Sequence, residues 1–141
     1  MVSAPPGYLD GLITLVSQRL RQVQVVERGE NPDRVLLDLV ARYGNYEVRI
    51  SEILDASGRK YAYYVFQAGK IVVGFDNTPD PLALRLKFGR EARRHWRERI
   101  PHCHLQNKTK TELTVEMTCQ DFLDWLEANL PEGASPSGVI C

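Results

Sequence analysis

The chain of 141 residues is 43% apolar and 26% charged, the profile of one globular domain that buries roughly 70% of its unfolded surface without a metal or disulfide staple. Its formal net charge is zero, but residues 81–110 carry nine Lys/Arg against two acids, while residues 111–141 carry six acids and no Lys/Arg. No apolar run approaches the ~20 residues of a membrane span, the first residues lack a signal-peptide layout, and Cys103, Cys119 and Cys141 are odd in number and scattered. A reducing, cytoplasmic setting is therefore expected, with no disulfide framework or zinc knot and with Cys141 as an exposed thiol.

Residues 1–7, with their prolines and glycine, read as loose. Leu9, Ile13, Leu15, Val16 and Leu20 fall close to a helical stripe, which "QVQVVERGE" continues as a strand. "GENPDR" breaks the chain. Four runs rich in Val, Ile and Tyr follow, at 35–42, 46–54, 60–67 and 70–77, separated by turn residues, as in an antiparallel meander. Tyr46, Val48 and Ile50 alternate with Glu47, Arg49 and Ser51. Glu52 then falls in phase with the apolar residues, where a carboxylate is costly unless paired. Either a bulge near Ile53 re-phases the strand, which is the expectation, or Glu52 lines a site.

In residues 79–99, Leu82, Leu86, Ala92 and Trp96 make a stripe within a basic segment. Gly89 is expected to divide it into a short turn and a following helix, with Phe88 and Trp96 as core anchors rather than base-stacking platforms. "IPHCHLQ" and "TELTVEM" read as two short strands joined by "NKTK". Residues 118–130 form a helix with Cys119, Phe122, Leu123, Leu126 and Leu130 on one face, opened by a Thr118–Asp121 capping box. Residues 131–141 read as a flexible tail. The fold class expected is α+β: one domain, ordered over 8–130, with an antiparallel β-meander sheet flanked by an N-terminal helix, a basic middle helix and a C-terminal helix.

Candidate chemistry centres on "IPHCHL". In an extended segment His102 and His104 share a face and Cys103 points away. Paired imidazoles serve general acid–base catalysis near neutral pH or offer two nitrogens to a metal; they also occur as ordinary structural residues. A metal would need a third ligand from Asp76, Asp80 or Glu52. None stands at a recognisable spacing, so that reading ranks last and no metal or cofactor is expected. In "GFDNTPD", Asp76, Asn77 and Thr78 suit a turn leaving a strand, or a sheet edge beside the histidines. No Walker loop, GxSxG or GxGxxG is present.

"EILDASGRKYAYYVFQAGKIVVGFDNTPD" followed by "IPHCHLQNKTKTELTVEMTCQDFLDWL" resembles the TumE-type family of toxin components from toxin–antitoxin pairs. The pattern covers about residues 45–130: a strand with Glu52, a Tyr-rich strand with Tyr61 and Tyr63, Asp76-Asn77-x-Pro79, then Pro101-His102-x-His104 and a closing helix. This chain departs from it at Asp80, where a histidine is expected nearby, and in the longer, more basic linker 81–99. The resemblance implies RNA or the translation machinery as target and a helix-turn-helix antitoxin as partner. The expected function is thus a toxin acting as a small metal-independent endoribonuclease. His102 and His104 would be base and acid, Asp76 would orient them, and Arg85, Arg90, Arg93, Arg94, Arg97 and Asn77 would hold the substrate. The alternative is a non-catalytic protein that contacts RNA, the ribosome or a partner through 85–99. No membrane partner is expected, and a homodimer is left open.

Overall fold

A computed structural model describes residues 4–131 and 139–141. Helix α1 (Tyr8–Arg19) leads into five strands: β1 (Arg21–Asn31), β2 (Arg34–Tyr43), β3 (Tyr46–Asp55), β4 (Gly58–Gln67) and β5 (Lys70–Asp76). Helix α2 (Pro81–Phe88), a 3₁₀ helix (Gly89–His95), β6 (His102–Leu105), β7 (Lys110–Leu113) and helix α3 (Cys119–Asn129) complete it. The strands form one seven-stranded antiparallel sheet in chain order. The α+β meander with flanking helices is therefore the observed fold.

The period-2 pattern fixes which face each side chain takes. Burial alternates along β2 and β3, and the inward set packs with Leu9, Leu12 and Val16 of α1 and Phe122, Leu123 and Leu126 of α3. Each such Leu or Phe contributes about 1.5–3 kcal/mol through burial. Arg19 holds the two helices together from outside, 2.8 Å from both Asp124 and Glu127. Thr118 and Asp121 close the capping box of α3 reciprocally.

Four expectations need correction. The pairing of β3 with both neighbours is regular from Glu47 to Asp55, with no bulge near Ile53; Glu52 stays on the core face because it has partners there. In the basic segment the α-helix precedes Gly89 and the 3₁₀ turn follows it. Asp80 caps α2 by accepting from the Ala83 N–H, and Pro81 starts it. The buried residues of this layer are Ala83, Leu84 and Ile100, whereas Leu82, Leu86 and Trp96 are exposed. Phe88 packs against that small cluster and stacks on His95. The strand expected in "TELTVEM" ends at Leu113, and Val115 is exposed.

The fourth correction concerns cysteine. Cys103 and Cys141 are joined as a disulfide, and Cys119 is a buried free thiol. Val139 and Cys141 pack on the core, so the expected loose tail docks at its end; residues 132–138 of that tail lie outside the described residues. The cysteine argument for a reducing setting falls with this bond. No helix among the described residues is long and apolar enough to cross a membrane. The bond spans 38 residues of sequence, for which loop-closure entropy gives about 4 kcal/mol. Urea unfolding with and without dithiothreitol is expected to show a loss approaching that size on reduction.

Candidate active site

Every residue of β6 is buried. Cys103 and Leu105 enter the core beneath α1 and α3, so alternation sends His102 and His104 to the opposite face of the sheet. Their cross-strand partners are Asp76 and Gly74 of β5 on one side, Leu113 and Thr111 of β7 on the other. Helix α2 lies against β7 on this reverse face, where Leu82, Arg85 and Leu86 meet Thr111 over a shallow depression.

The register brings Asp76, His102 and His104 together. Their Nε2 atoms lie 3.1 Å apart. Oδ1 of Asp76 is 3.3 Å from Nε2 of His102, and Oδ2 is 3.7 Å from Nε2 of His104. All three residues are buried. Nδ1 of His102 is 2.6 Å from the Ile100 carbonyl oxygen. A carbonyl only accepts, so Nδ1 carries the proton and Nε2 presents its lone pair. Nδ1 of His104 is 3.2 Å from the Thr111 hydroxyl. Burial, and then the neighbouring His102, hold the His104 imidazole below its ordinary pKa, so it favours the neutral form at pH 7.

The Asp76 carboxylate is held by three further contacts. Oδ1 accepts from the Thr78 N–H at 3.0 Å and the Thr78 hydroxyl at 2.7 Å. Oδ2 accepts from the Tyr64 hydroxyl at 2.5 Å, and burial, followed by this bond to Asp76, raises the Tyr64 pKa. Tyr64 reaches the carboxylate because its cross-strand neighbour is Gly74. A Cβ at position 74 would sit inside the Tyr64 ring, the close approach that a strand glycine permits. Gly74→Ala is expected to expel the ring and cost about 1–3 kcal/mol, with the loss of the Tyr64–Asp76 bond visible as a fall of the tyrosine pKa in a UV titration.

The remaining predicted site residues are placed differently. Asn77 is buried, and its amide bridges backbone of β4: Oδ1 accepts from the Tyr61 N–H and Nδ2 donates to the Arg59 carbonyl. It extends the β4–β5 pairing by one step and is turned away from the histidines. Arg85 and Arg93, with Asp80, Leu84 and Trp96, line a cavity of roughly 320 Å³ between α2 and the 3₁₀ helix. Oδ2 of Asp80 is 3.9 Å from Nε2 of His104, so this cavity adjoins the buried cluster. Arg94 pairs with Glu91 in solvent, Arg97 lies over the Trp96 ring, and Arg90 is exposed. Tyr64, Gly74, Thr78 and Thr111 were not among the predicted site residues. Tyr64 was discoverable: alternation sets it opposite Tyr61 and Tyr63, and glycine inside a strand marks a close approach.

Glu52 and Tyr63 belong to a second network, on the core face. Glu52 accepts from the hydroxyls of Tyr8 and Tyr63, and Nε of Arg59 lies 3.2 Å from it. Arg59 also donates to the Tyr63 hydroxyl and the Met117 carbonyl. Tyr61 stacks beside Tyr63 and receives the Met117 N–H on its hydroxyl. The Glu and Tyr positions of the sequence pattern are thus separated from its Asp and His positions by the thickness of the sheet. No family model matches the chain, and no curated protein or solved structure does so either.

Proposed function

We propose that the protein cleaves RNA at the Asp76–His102–His104 cluster and serves as the toxin of a toxin–antitoxin pair. The observation that carries the chemical part is the convergence of the three side chains on one point beside a cavity walled by Arg85 and Arg93. The toxin part rests on the order of the sequence motifs. Buried imidazoles held by fixed hydrogen bonds are suited to take a proton from a ribose hydroxyl. Arginines at the cavity supply the positive charge that a phosphate needs as its charge develops.

The geometry revises the division of labour expected between the histidines. In phosphoryl transfer the attacking and leaving oxygens lie roughly in line on opposite sides of phosphorus. Two imidazoles in direct contact at 3.1 Å act from one side, as one unit. The leaving oxygen must then be served from the cavity side, by solvent or a group on α2.

The test is cleavage of total RNA by wild type and by the His102→Ala/His104→Ala variant. Cleavage lost in a variant with native circular dichroism supports the proposal; equal cleavage by both would sink it. A second reading, non-catalytic binding, is favoured by exposed Trp96 under Arg97, since aromatic and cationic side chains together stack on nucleic-acid bases. It predicts that Arg93→Glu/Arg94→Glu weakens RNA binding and flattens its salt dependence, while the histidine variant binds normally.

A further inference from the structure

We infer that Asp76, His102 and His104 form a binding site for one borderline divalent cation of the Zn²⁺ class. This goes beyond the proposed reaction and does not need RNA to be the substrate.

The first argument is spacing. Zinc binds imidazole nitrogen and carboxylate oxygen at 2.0–2.2 Å, so two ligands at a tetrahedral angle stand about 3.3 Å apart. The three contacts here are 3.1, 3.3 and 3.7 Å. The 3.3 and 3.7 Å contacts are made by different oxygens of Asp76, Oδ1 and Oδ2, and one donor atom from each of the three residues lies within 4.8 Å of the others, so a small side-chain adjustment brings them to a shared ion. Three protein ligands also leave a coordination position for water or substrate, as in catalytic rather than structural sites.

The second argument is the surrounding support. Metal-bound histidines characteristically donate their other ring N–H to a fixed acceptor. Nδ1 of His102 does so to the Ile100 carbonyl, and Nδ1 of His104 meets the Thr111 hydroxyl. Both Nε2 atoms are thereby aimed at the same point. The carboxylate is steadied by Tyr64 and Thr78, and the Tyr64 bond depends on a glycine at position 74.

The third argument is charge. A buried carboxylate is normally paired with a cation or bound to metal. Among the described residues neither Asp76 nor Asp80 has an ion pair with Lys or Arg; imidazoles are their only partners of that kind. Glu52 on the other face, by contrast, has Arg59. A divalent ion would draw both Nε2 atoms and the carboxylate to one centre, in place of the Nε2···Nε2 hydrogen bond that one tautomer of the pair makes at 3.1 Å. The nitrogen donors select zinc, cobalt or nickel over magnesium, calcium and manganese. With such an ion present, the metal-independent reaction expected from the sequence is replaced by one in which the ion polarises phosphate or water.

The experiment is direct binding of Zn²⁺ by calorimetry and of Co²⁺ by visible absorption, on full-length protein stripped with EDTA and dialysed. One ion per chain is expected, with a cobalt spectrum of low-symmetry nitrogen–oxygen coordination. Asp76→Asn and His104→Gln are each expected to weaken binding at least 100-fold with circular dichroism unchanged, and Tyr64→Phe by about 10-fold through the support it removes. If either ligand variant does not fold, Tyr64→Phe and the other variant carry the test. His95→Gln is the control, because His95 with Glu98 is a further pair that could take up the ion. Absence of stoichiometric binding by wild type overturns the inference. So does binding that survives Asp76→Asn and His104→Gln, or that disappears in the control. Binding without RNA cleavage leaves the metal site standing and removes the proposed reaction; cleavage at full rate in EDTA without metal uptake does the reverse.

Discussion

Glu52→Ala is expected to lower the unfolding free energy by about 3–5 kcal/mol, the cost of breaking a buried ion pair by removing one partner. The Glu52 side chain is 2% exposed and that of Arg59 is 19% exposed. Without the carboxylate, the Arg59 guanidinium and the hydroxyls of Tyr8 and Tyr63 lose a shared acceptor inside the core. Arg59 keeps the Met117 carbonyl and has the Glu116 carboxylate 3.6 Å away, so no bare charge is stranded and the loss falls at the lower end of that range. Glu52→Gln preserves volume and one acceptor oxygen, and is expected to cost clearly less than Glu52→Ala. Urea titration followed by circular dichroism checks the order. Because this network lies across the sheet from the histidines, RNA cleavage by folded Glu52→Gln is expected to stay near wild type. A variant of native stability that lost cleavage would show that the two faces are coupled.

Asp76→Asn is the complementary case: a large effect on chemistry with a small one on folding. The amide keeps an oxygen for Thr78 or Tyr64, so stability is expected to change by less than about 2 kcal/mol. Removing the charge takes away the group that both imidazoles face. A loss of roughly 10²–10⁴ in cleavage rate is expected, the range for a positioned acid–base system. Tyr64→Phe should fall between this variant and wild type, since it removes one of the bonds that steady the carboxylate. Single-turnover cleavage of a defined RNA at saturating protein separates the chemical step from binding. An effect confined to binding, with the chemical step intact, would assign Asp76 to substrate contact alone.

The two networks also show where reading the chain stops. The meander was legible because alternation and turn residues are local: each strand from β2 to β5 and helix α3 stand close to their expected bounds. Asp76, His102 and His104 could be nominated from composition and order. Their meeting could not, because Asp76 and His102 are separated by α2 and the 3₁₀ helix and are joined only by the β5–β6 register. Of the acids Asp76, Asp80 and Glu52, the register sets Asp76 directly across from His102. Trp96 was misplaced for a related reason. Its stripe assumes the face of Leu82 and Leu86, but the buried face of α2 is that of Ala83 and Leu84, and the α-helix ends at Gly89, where a 3₁₀ helix runs to His95.

Glu52 illustrates the same boundary. Its phase on the core face is a property of sequence, because side chains alternate whatever surrounds them. Whether that phase is tolerated is a property of the assembled fold, since the cost of a buried carboxylate is set by partners as distant as Tyr8 and Arg59. The cysteines follow the same rule: spacing suggested three isolated thiols, and folding placed Cys141 against Cys103. The sequence by itself determined the class of fold, the alternation of faces and the residues able to do chemistry. Only the tertiary structure decided which of them share a face and a partner, because electrostatic and hydrogen-bond energies depend on distances that chain order does not specify.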